Sequence, residues 1–192
     1  DVGGADIKLN EDGSYTLALG CADMGTGCDT ILAQMAADCL ETRMENIVVF
    51  SVDTDISPYD CGSYASSTTY VTGMAVLKTC ESLKKKICER GAEYMGCDVA
   101  DVEFDGENVI NLKTGESISR RDIGNRVMCF SNAPLSASEA FSSPVSPPPF
   151  MVGIAEVEID KETGEIELID YVAVVDCGTV VNPNLARVQV EG

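Results

Sequence analysis

The chain has 192 residues, of which 45% are hydrophobic and 23% charged, a composition typical of a folded globular protein. Its formal net charge of -19 excludes nucleic acids and anionic membranes as general partners, because an acidic surface gains nothing from the release of phosphate counterions. No apolar run reaches the roughly 18 residues of a membrane helix and no secretory signal pattern is present, so we expect a cytoplasmic protein.

In its first third, the chain alternates strand and helix patterns. The alternation of apolar residues at 5–9 and 15–19, with turn residues at 11–13, predicts a β-hairpin. Helical spacing then predicts a helix that begins near Cys28 or Asp29. The β-branched run at 47–52 predicts a short buried strand.

A polar loop at 53–67 leads into the longest predicted helix, whose apolar stripe includes Val76, Leu83 and Ile87. Its lysines are predicted to face water: Lys78, Lys84, Lys85 and Lys86. A second hairpin is predicted at 102–104 and 109–112, and a short helix from a Ser119 cap, with Asp122 three residues on, through Cys129.

The last part of the chain predicts a serine- and proline-rich crossover at 142–149, strands at 151–159 and 166–175, and a helix that begins at Asn182-Pro183. We expect one α+β region at 1–141 and a hairpin with a helix start at 150–192 that continues the same domain. The predicted fold class is α+β, with mixed sheets, hairpins and packed helices. The chain begins with Asp1 and is still patterned at Gly192, so we expect it to be a piece of a longer protein.

Histidine is absent, so chemistry must come from carboxylates, thiols or a bound cofactor. The nine cysteines contain no C-x-x-C pair and predict neither a disulfide framework nor a zinc site. We expect reduced, mostly buried thiols. Cys177 is likewise expected to be buried, and Glu191 has no predicted partner, so no catalytic residue and no metal ligand is assigned in this chain.

Two segments are candidate binding loops. Asp23-Met24-Gly25-Thr26-Gly27 stands between a strand and a helix, where glycines allow close backbone approach and helix amides attract anions, although the motif on its own favours a plain tight turn that needs glycine. The segment 53–69 collects hydroxyls and small residues before the long helix, where Ser66 to Thr69 form either a phosphate loop or a helix cap. Asp53 and Asp55 are interpreted as turn-forming aspartates.

Several ordered motifs resemble the molybdopterin-binding subunit of the xanthine dehydrogenase, aldehyde oxidase and nicotinate dehydrogenase family. They are DGSYTLALG at 12–20, DMGTG at 23–27, DTDISPYDCGSYASSTTYVTG at 53–73, EVEIDKETGEIE at 156–167, VDCGTVVNPN at 175–184 and QVEG at 189–192. The resemblance implies the fold of that molybdopterin-binding domain. It also implies a molybdenum ion held by the pterin, expected as a dinucleotide, and not by protein side chains.

The resemblance implies two groups of cofactor-contacting residues and one isolated glutamine: Met24, Gly25, Thr26 and Gly27; Ala65, Ser66, Ser67 and Thr68; and Gln189. Two positions depart from the family pattern. Thr26 replaces a glutamine, and its shorter side chain would leave a gap for water or weaken that contact. Ser67 stands where many relatives have arginine, which leaves phosphate binding to backbone amides and hydroxyls.

Members of that family oxidise an aromatic heterocycle or an aldehyde with oxygen from water, using a glutamate in a Gly-x-Gly-Glu segment that lies outside these residues. Iron-sulfur clusters and FAD on partner subunits or domains carry the electrons onward. The resemblance thus predicts a cofactor cradle within a molybdenum hydroxylase, inactive by itself. Two alternatives stay open: an interaction module that kept the fold and lost the cofactor, and a phosphate-binding domain of another class.

Overall fold

The computed structural model describes residues 1–131 and 134–192 of the chain. These residues form two compact units, Asp1–Ser143 and Pro144–Gly192. No helix among the described residues combines the length and the apolar content that crossing a membrane would require.

The elements follow one another along the chain in mixed order. The strands are β1 (Val2–Leu9), β2 (Tyr15–Leu19), β3 (Ile47–Ser51), β4 (Val102–Phe104), β5 (Asn108–Asn111), β6 (Ser117–Ser119), β7 (Ser136–Ser142), β8 (Phe150–Ile159) and β9 (Ile166–Asp176). The helices are α1 (Cys28–Cys39), α2 (Thr68–Met95), α3 (Arg120–Phe130) and α4 (Pro183–Glu191). The predicted α+β class is confirmed.

The main sheet of the first unit has the order β3-β2-β1-β7. β1 is antiparallel to both β2 and β7, whereas β2 and β3 are parallel, with Tyr15 opposite Ile47 and Leu19 opposite Ser51. A parallel pair needs a crossover connection, and α1 supplies it. The carboxyl ends of β2 and β3 therefore lie side by side.

One face of this sheet forms the core. The alternate residues Ile7, Leu9, Leu17 and Leu19 are 0–1% exposed, while Lys8 and Thr16 between them are not buried. The helices α1 and α2 cover the buried face, and Leu32 and Leu83 are fully buried there. Each such side chain contributes about 1.5–3 kcal/mol of hydrophobic stabilisation.

The helices α1 and α2 run in the same direction where they meet. Met35 lies over Gly73, and four residues further along each helix the Cys39 thiol lies 3.8 Å from the carbonyl oxygen of Leu77. Because the residue numbers increase in the same direction along both helices, the amino termini of α1 and α2 lie at the same end of the helix pair. Both helices thus begin near the carboxyl ends of β2 and β3.

A second sheet, of order β4-β5-β6, packs beside α2 and leads into α3. The Ser119 side chain accepts a hydrogen bond from the Asp122 amide at 3.0 Å, which confirms the predicted cap. The next residue, Arg120, is 6% exposed and donates to Thr42 Oγ1 and Glu107 Oε1. This arginine joins α3 to the loop after α1.

The second unit consists of the β8-β9 ribbon and α4. The two strands pair antiparallel from Phe150 opposite Asp176 to Ile159 opposite Ile166. The Asn182 side chain caps α4 by accepting hydrogen bonds from the amides of Asn184 and Leu185, both at 3.1 Å. These elements match the predicted strands and the predicted helix start.

Several local expectations are corrected. β3 is half-buried, since Val48 and Phe50 are exposed on the face of the sheet opposite the helices. The lysines of α2 do not all simply face water: Lys84 donates to the Cys39 carbonyl oxygen and to Glu41, Lys86 donates to the Ser136 carbonyl oxygen, and Lys78 lies over the ring of Phe141.

The thiols are free, as expected, but they are not mostly buried. Cys21, Cys28 and Cys80 are buried, whereas Cys61, Cys129 and Cys177 are exposed and the other three are half-buried. Cys177 directly follows β9, whose residues are themselves mostly exposed, and it is exposed too.

The strands β6 and β7 were not predicted.

Arg120→Met tests the buried arginine, because it keeps most of the side-chain length and removes the hydrogen bonds to Thr42 and Glu107. We expect the free energy of unfolding to fall by about 2 kcal/mol in urea titrations. The control Arg43→Met removes an ion pair with Glu45 whose side chains are 82% and 72% exposed, and should change that free energy by less than about 0.5 kcal/mol. Equal losses in the two variants would contradict the structural role given to Arg120.

Candidate functional site

Two loops leave the same edge of the main sheet. Loop A, residues 20–27, follows β2, and loop B, residues 52–67, follows β3. Because β2 and β3 are parallel neighbours, the two loops lie next to each other, and the Ser63 hydroxyl donates to the Ala22 carbonyl oxygen at 2.9 Å. The two candidate segments are therefore brought together, as the binding hypothesis requires.

Loop B lies directly on the backbone of the sheet. A methyl group at Gly20 would come within 2.3 Å of the Pro58 carbonyl oxygen, and one at Gly4 within 2.6 Å of the Tyr59 carbonyl oxygen. The Cys61 amide donates to the Val2 carbonyl oxygen at 3.0 Å. Glycine is needed at Gly4 in β1 and at Gly20, directly after β2, because loop B approaches too closely for a side chain.

Further along loop B, two hydrogen bonds fix the approach to α2. Asp60 accepts from the Gly62 amide at 2.8 Å and from the Thr72 hydroxyl at 2.8 Å. Asp53 accepts from the Asp55 amide at 3.0 Å, which agrees with the predicted turn-forming role. Sequence reasoning missed Asp60 and Ser63, since a single aspartate or serine in a loop carries no signal that identifies its partner.

Loop A is organised by its own carboxylate. Asp23 Oδ1 accepts hydrogen bonds from the amides of Gly25 at 2.9 Å and Gly27 at 3.1 Å, and Oδ2 accepts from the Asp29 amide at 3.4 Å. Partial burial of this carboxyl opposes its ionisation, but these backbone donors outweigh that effect and lower the pKa of Asp23. The amino terminus of α1, which we expected to attract an external anion, therefore already has the Asp23 carboxylate next to it.

Below loop A, thiols and carboxylates are crowded together. The ligand atoms of Asp23, Cys28 and Asp29 lie within 4.8 Å of one another. Burial and the neighbouring charges raise the pKa values of Cys28 and of the adjacent Cys21, so both thiols are protonated at neutral pH. The Asp23 carboxylate already accepts hydrogen bonds from the amides of loop A. We therefore interpret the cluster of Asp23, Cys28 and Asp29 as residues that hold loop A in place.

Thr26 points into the protein. Its hydroxyl oxygen is shielded from solvent and has no hydrogen-bond partner of standard geometry among the described residues. By contrast, Met24 is 67% exposed, and no atom lies within 4 Å of the open side of Gly25. Loop A thus presents its backbone at Met24 and Gly25 outward.

The end of loop B has an unusual backbone. Ala65 and Ser66 are consecutive residues with φ values of 53° and 56°, in the left-handed region that costs L-residues about 1–2 kcal/mol each. Such strain persists where the surroundings impose it, and it clusters at ligand-binding positions. Both residues are exposed at the end of loop B.

The amino terminus of α2 lacks a side-chain cap. Ser67 stands at the cap position, but its hydroxyl donates back to the Tyr64 carbonyl oxygen at 2.8 Å and accepts nothing from the helix. The amide groups of the first turn, beginning at Thr68, therefore keep the positive end of the helix dipole uncompensated by a protein side chain. Neither loop contains lysine or arginine, so the donors available to an anion in these loops are main-chain amides and hydroxyls.

The remaining predicted residue lies apart from these loops in the sequence. Gln189 is an exposed residue of α4 in the second unit, so its contact with a cofactor stays a prediction. Glu191, which had no predicted partner, forms an ion pair with Arg187 on the same helix.

Gly20→Ala tests the seating of loop B. The added methyl group meets the Pro58 backbone, which cannot rotate away, so we expect unfolding free energy to fall by about 1–3 kcal/mol in chemical denaturation. The matched control is Gly73→Ala, whose methyl group meets only the flexible end of Met35 at 2.7 Å and which also gains helix propensity. A Gly20→Ala protein as stable as the control would show that loop B does not rest on this glycine.

Asp23→Asn tests the internal cap of loop A by removing its charge. Because the folded pKa of Asp23 lies below its ordinary value of 3.8, the carboxylate contributes stability above that value, and the contribution is lost as pH falls through the folded pKa. We expect a loss of about 0.5 kcal/mol at pH 7 that disappears once the pH falls below the folded pKa of Asp23, measured by denaturation at a series of pH values. A difference that grows towards low pH would contradict this role.

Comparison with known proteins agrees with the geometry. A family model described as "Molybdopterin cofactor-binding domain" matches residues 1–192. The "Probable hypoxanthine oxidase XdhD" of Escherichia coli strain K12 is 38% identical over 187 residues, which cover 97% of this chain and 20% of that protein. The "Putative xanthine dehydrogenase molybdenum-binding subunit XdhA" of the same strain is 26% identical over 197 residues, which cover 100% of this chain and 26% of that protein.

Solved structures share the fold. Reconstituted CO dehydrogenase from Oligotropha carboxidovorans superimposes with a TM-score of 0.85 and 25% sequence identity, over 98% of this chain and 24% of that one. The chain thus spans about a fifth to a quarter of the length of these proteins. With a family match over its whole length and the same arrangement of strands and helices, the chain belongs to the molybdopterin cofactor-binding domain family.

Proposed function

We propose that this chain forms one wall of the molybdopterin site of a longer molybdenum hydroxylase. The observation that carries the proposal is the meeting of loops A and B at one sheet edge, next to a helix start that no side chain caps. Loop A contributes Met24, Gly25, Thr26 and Gly27. Loop B and the first residue of α2 contribute Ala65, Ser66, Ser67 and Thr68.

The residues present fit a phosphate-bearing pterin. The exposed peptide groups of Ala65 and Ser66 and the first-turn amides that begin at Thr68 offer several donors to phosphate oxygens, and the helix dipole favours a negative charge there. The open side of Gly25 leaves room for a bulky group to lie against the backbone of loop A. When bound, the molybdenum cofactor supplies two-electron oxidation with water as the source of oxygen.

The substrate of the whole protein is proposed to be an aromatic heterocycle of the purine or nicotinate kind, or an aldehyde. The purine assignment is supported by the relative named as a hypoxanthine oxidase, at 38% identity. The cofactor is proposed to be the dinucleotide form, with iron-sulfur and FAD subunits or domains as electron-transfer partners. In this assembly the present chain holds and orients the cofactor, and it provides no catalytic side chain.

The alternative is a module that kept the fold and lost the cofactor, supported by the side chains of Thr26 and Ser67. Both are turned towards the protein: the Thr26 hydroxyl is shielded from solvent, and the Ser67 hydroxyl is bonded to Tyr64. Neither provides the side-chain contact implied by the family pattern. Under this alternative the longer protein purifies with its partners but without molybdenum.

Metal and pterin analysis of the full-length protein purified with its partners tests the proposal. We expect about one molybdenum and one pterin per chain under expression in molybdate-supplemented medium. Consistent absence of both from folded protein would favour the alternative. Phosphate affinity of the protein without any pterin content would instead support a phosphate-binding domain of another class.

Thr68→Glu tests the role of the α2 amino terminus in the full-length protein. A glutamate in the first turn favours the helix itself but places a negative charge where the phosphate is proposed to bind. We expect cofactor affinity to fall by about tenfold, seen as a lower molybdenum content and faster pterin loss on dialysis. The control Thr114→Glu makes the same change in the exposed turn between β5 and β6 and should keep full occupancy. Full occupancy in the Thr68→Glu protein would contradict this phosphate position.

A further inference from the structure

The carboxylate of Asp60 joins the two ends of the segment that contains the proposed phosphate donors. Asp60 Oδ1 accepts a hydrogen bond from the Gly62 amide at 2.8 Å, and Oδ2 accepts one from the Thr72 hydroxyl at 2.8 Å. Asp60 and Thr72 are 12 positions apart, and the segment between them includes residues 65–68. One side chain therefore closes the loop that leads from the sheet into α2.

Both partners in the hydrogen bond between Asp60 and Thr72 lie against the sheet. A methyl group added at Gly20, at the start of loop A, would come within 2.7 Å of Asp60 Cβ. One added at Gly3 in β1 would come within 2.8 Å of Thr72 Cα, and Thr72 is 2% exposed. The hydrogen bond thus connects two positions that are themselves held by close packing, one beside loop A and one on β1.

Local hydrogen bonds continue from Gly62 to the open end of α2. The Gly62 carbonyl oxygen accepts from the Tyr64 amide at 3.1 Å, and the Tyr64 carbonyl oxygen accepts from the Ser67 amide at 3.1 Å and from the Ser67 hydroxyl at 2.8 Å. Residues 65–66, with their positive φ values, lie inside this last turn. Such a backbone persists only where the surroundings impose it, and the connection through Asp60 is a constraint of that kind.

We propose that Asp60 is a positioning residue of the cofactor site. Through its hydrogen bonds to Gly62 and Thr72, it holds the backbone of residues 65–68 in the conformation that receives a phosphate group of the cofactor. The inference rests on the proposed molybdopterin site. It adds to that site a side chain that acts on the cofactor only through the loop.

A second buried threonine of α2 offers a matched comparison with Thr72. Thr79 is 0% exposed, and its hydroxyl lies 2.8 Å from the Ala75 carbonyl oxygen in α2 and 3.0 Å from the Ala5 carbonyl oxygen in β1. Thr72→Val and Thr79→Val each remove one hydrogen-bonded hydroxyl from the same helix and keep the shape of the side chain. Only Thr72→Val removes a hydrogen bond to loop B.

The first experiment measures how fast the pterin leaves the full-length protein, purified with its partners and its cofactor. The pterin is followed by its fluorescence in the dialysate. We expect release on the order of tenfold faster from Thr72→Val than from the wild type, because a hydrogen bond to a charged group is lost. Thr79→Val should release pterin at the wild-type rate, and Thr72→Ser, which keeps the hydroxyl, should restore that rate.

Stability is measured on the same variants to separate positioning from general destabilisation. The urea midpoints of Thr72→Val and Thr79→Val should fall by similar amounts, since each variant loses one buried hydroxyl. Only the release rates should then differ. Equal release rates from these two variants would overturn the proposal.

A second experiment follows the loop itself in full-length protein from a host that cannot make the pterin. Asp60→Ala keeps the Cβ atom that lies over Gly20 and removes both acceptor oxygens. We expect hydrogen-deuterium exchange of the peptide covering residues 60–68 to become roughly tenfold faster. The control Asp53→Ala removes the acceptor of the Asp55 amide earlier in loop B and should leave that exchange unchanged.

The two experiments can fail separately. If the wild-type protein never carries pterin, the proposed function fails, but the exchange measurement needs no cofactor and still tests Asp60. If exchange of residues 60–68 is unchanged in Asp60→Ala, the positioning role of Asp60 is overturned, whatever the pterin content of the wild type.

Discussion

The parallel pairing of β2 with β3 is the constraint on which the site depends. It places Leu19 opposite Ser51, so loops A and B begin at one edge of the sheet. The crossover through α1 and the same-direction packing of α2 bring both helix starts to that edge. An antiparallel arrangement of these two strands would send the loops to opposite ends, and no common ligand could touch both.

The two helix starts at this edge are electrostatically different. At α1 the carboxylate of Asp23 accepts the loop amides and neutralises the helix end, whereas at α2 the hydroxyl of Ser67 turns away and leaves the end open. A chain with a net charge of -19 has little general attraction for phosphate, so selective binding has to come from local donors. This difference supports the proposal that the phosphate binds at loop B and that the pterin lies against loop A.

The sequence predicted the local elements well and their pairing poorly. Periodicity located the three hairpins and the helices, and the Ser119 cap is observed as expected. β7 was missed because Ser136–Ser142 lacks β-branched residues and becomes a strand only by pairing with β1, more than 120 positions away. The left-handed backbone at Ala65 and Ser66 was also unforeseen, since neither residue type signals positive φ. These features arise from tertiary contacts that no sequence window contains.

The structure shows where the side chains lie at the two positions that depart from the family pattern, Thr26 and Ser67. A glutamine at position 26 or an arginine at position 67 would be long enough to reach a ligand, but Thr26 and Ser67 direct their hydroxyls into the protein. What remains exposed is backbone, at Gly25 in loop A and at Ala65 and Ser66 in loop B. Recognition by main-chain donors needs fixed loop geometry more than any single side chain. Three features fix the geometry of the loops: the glycines under loop B, the Asp23 cap and the contact of α1 with α2. In the proposed site, these features therefore matter more for cofactor binding than the side chains of Thr26 and Ser67.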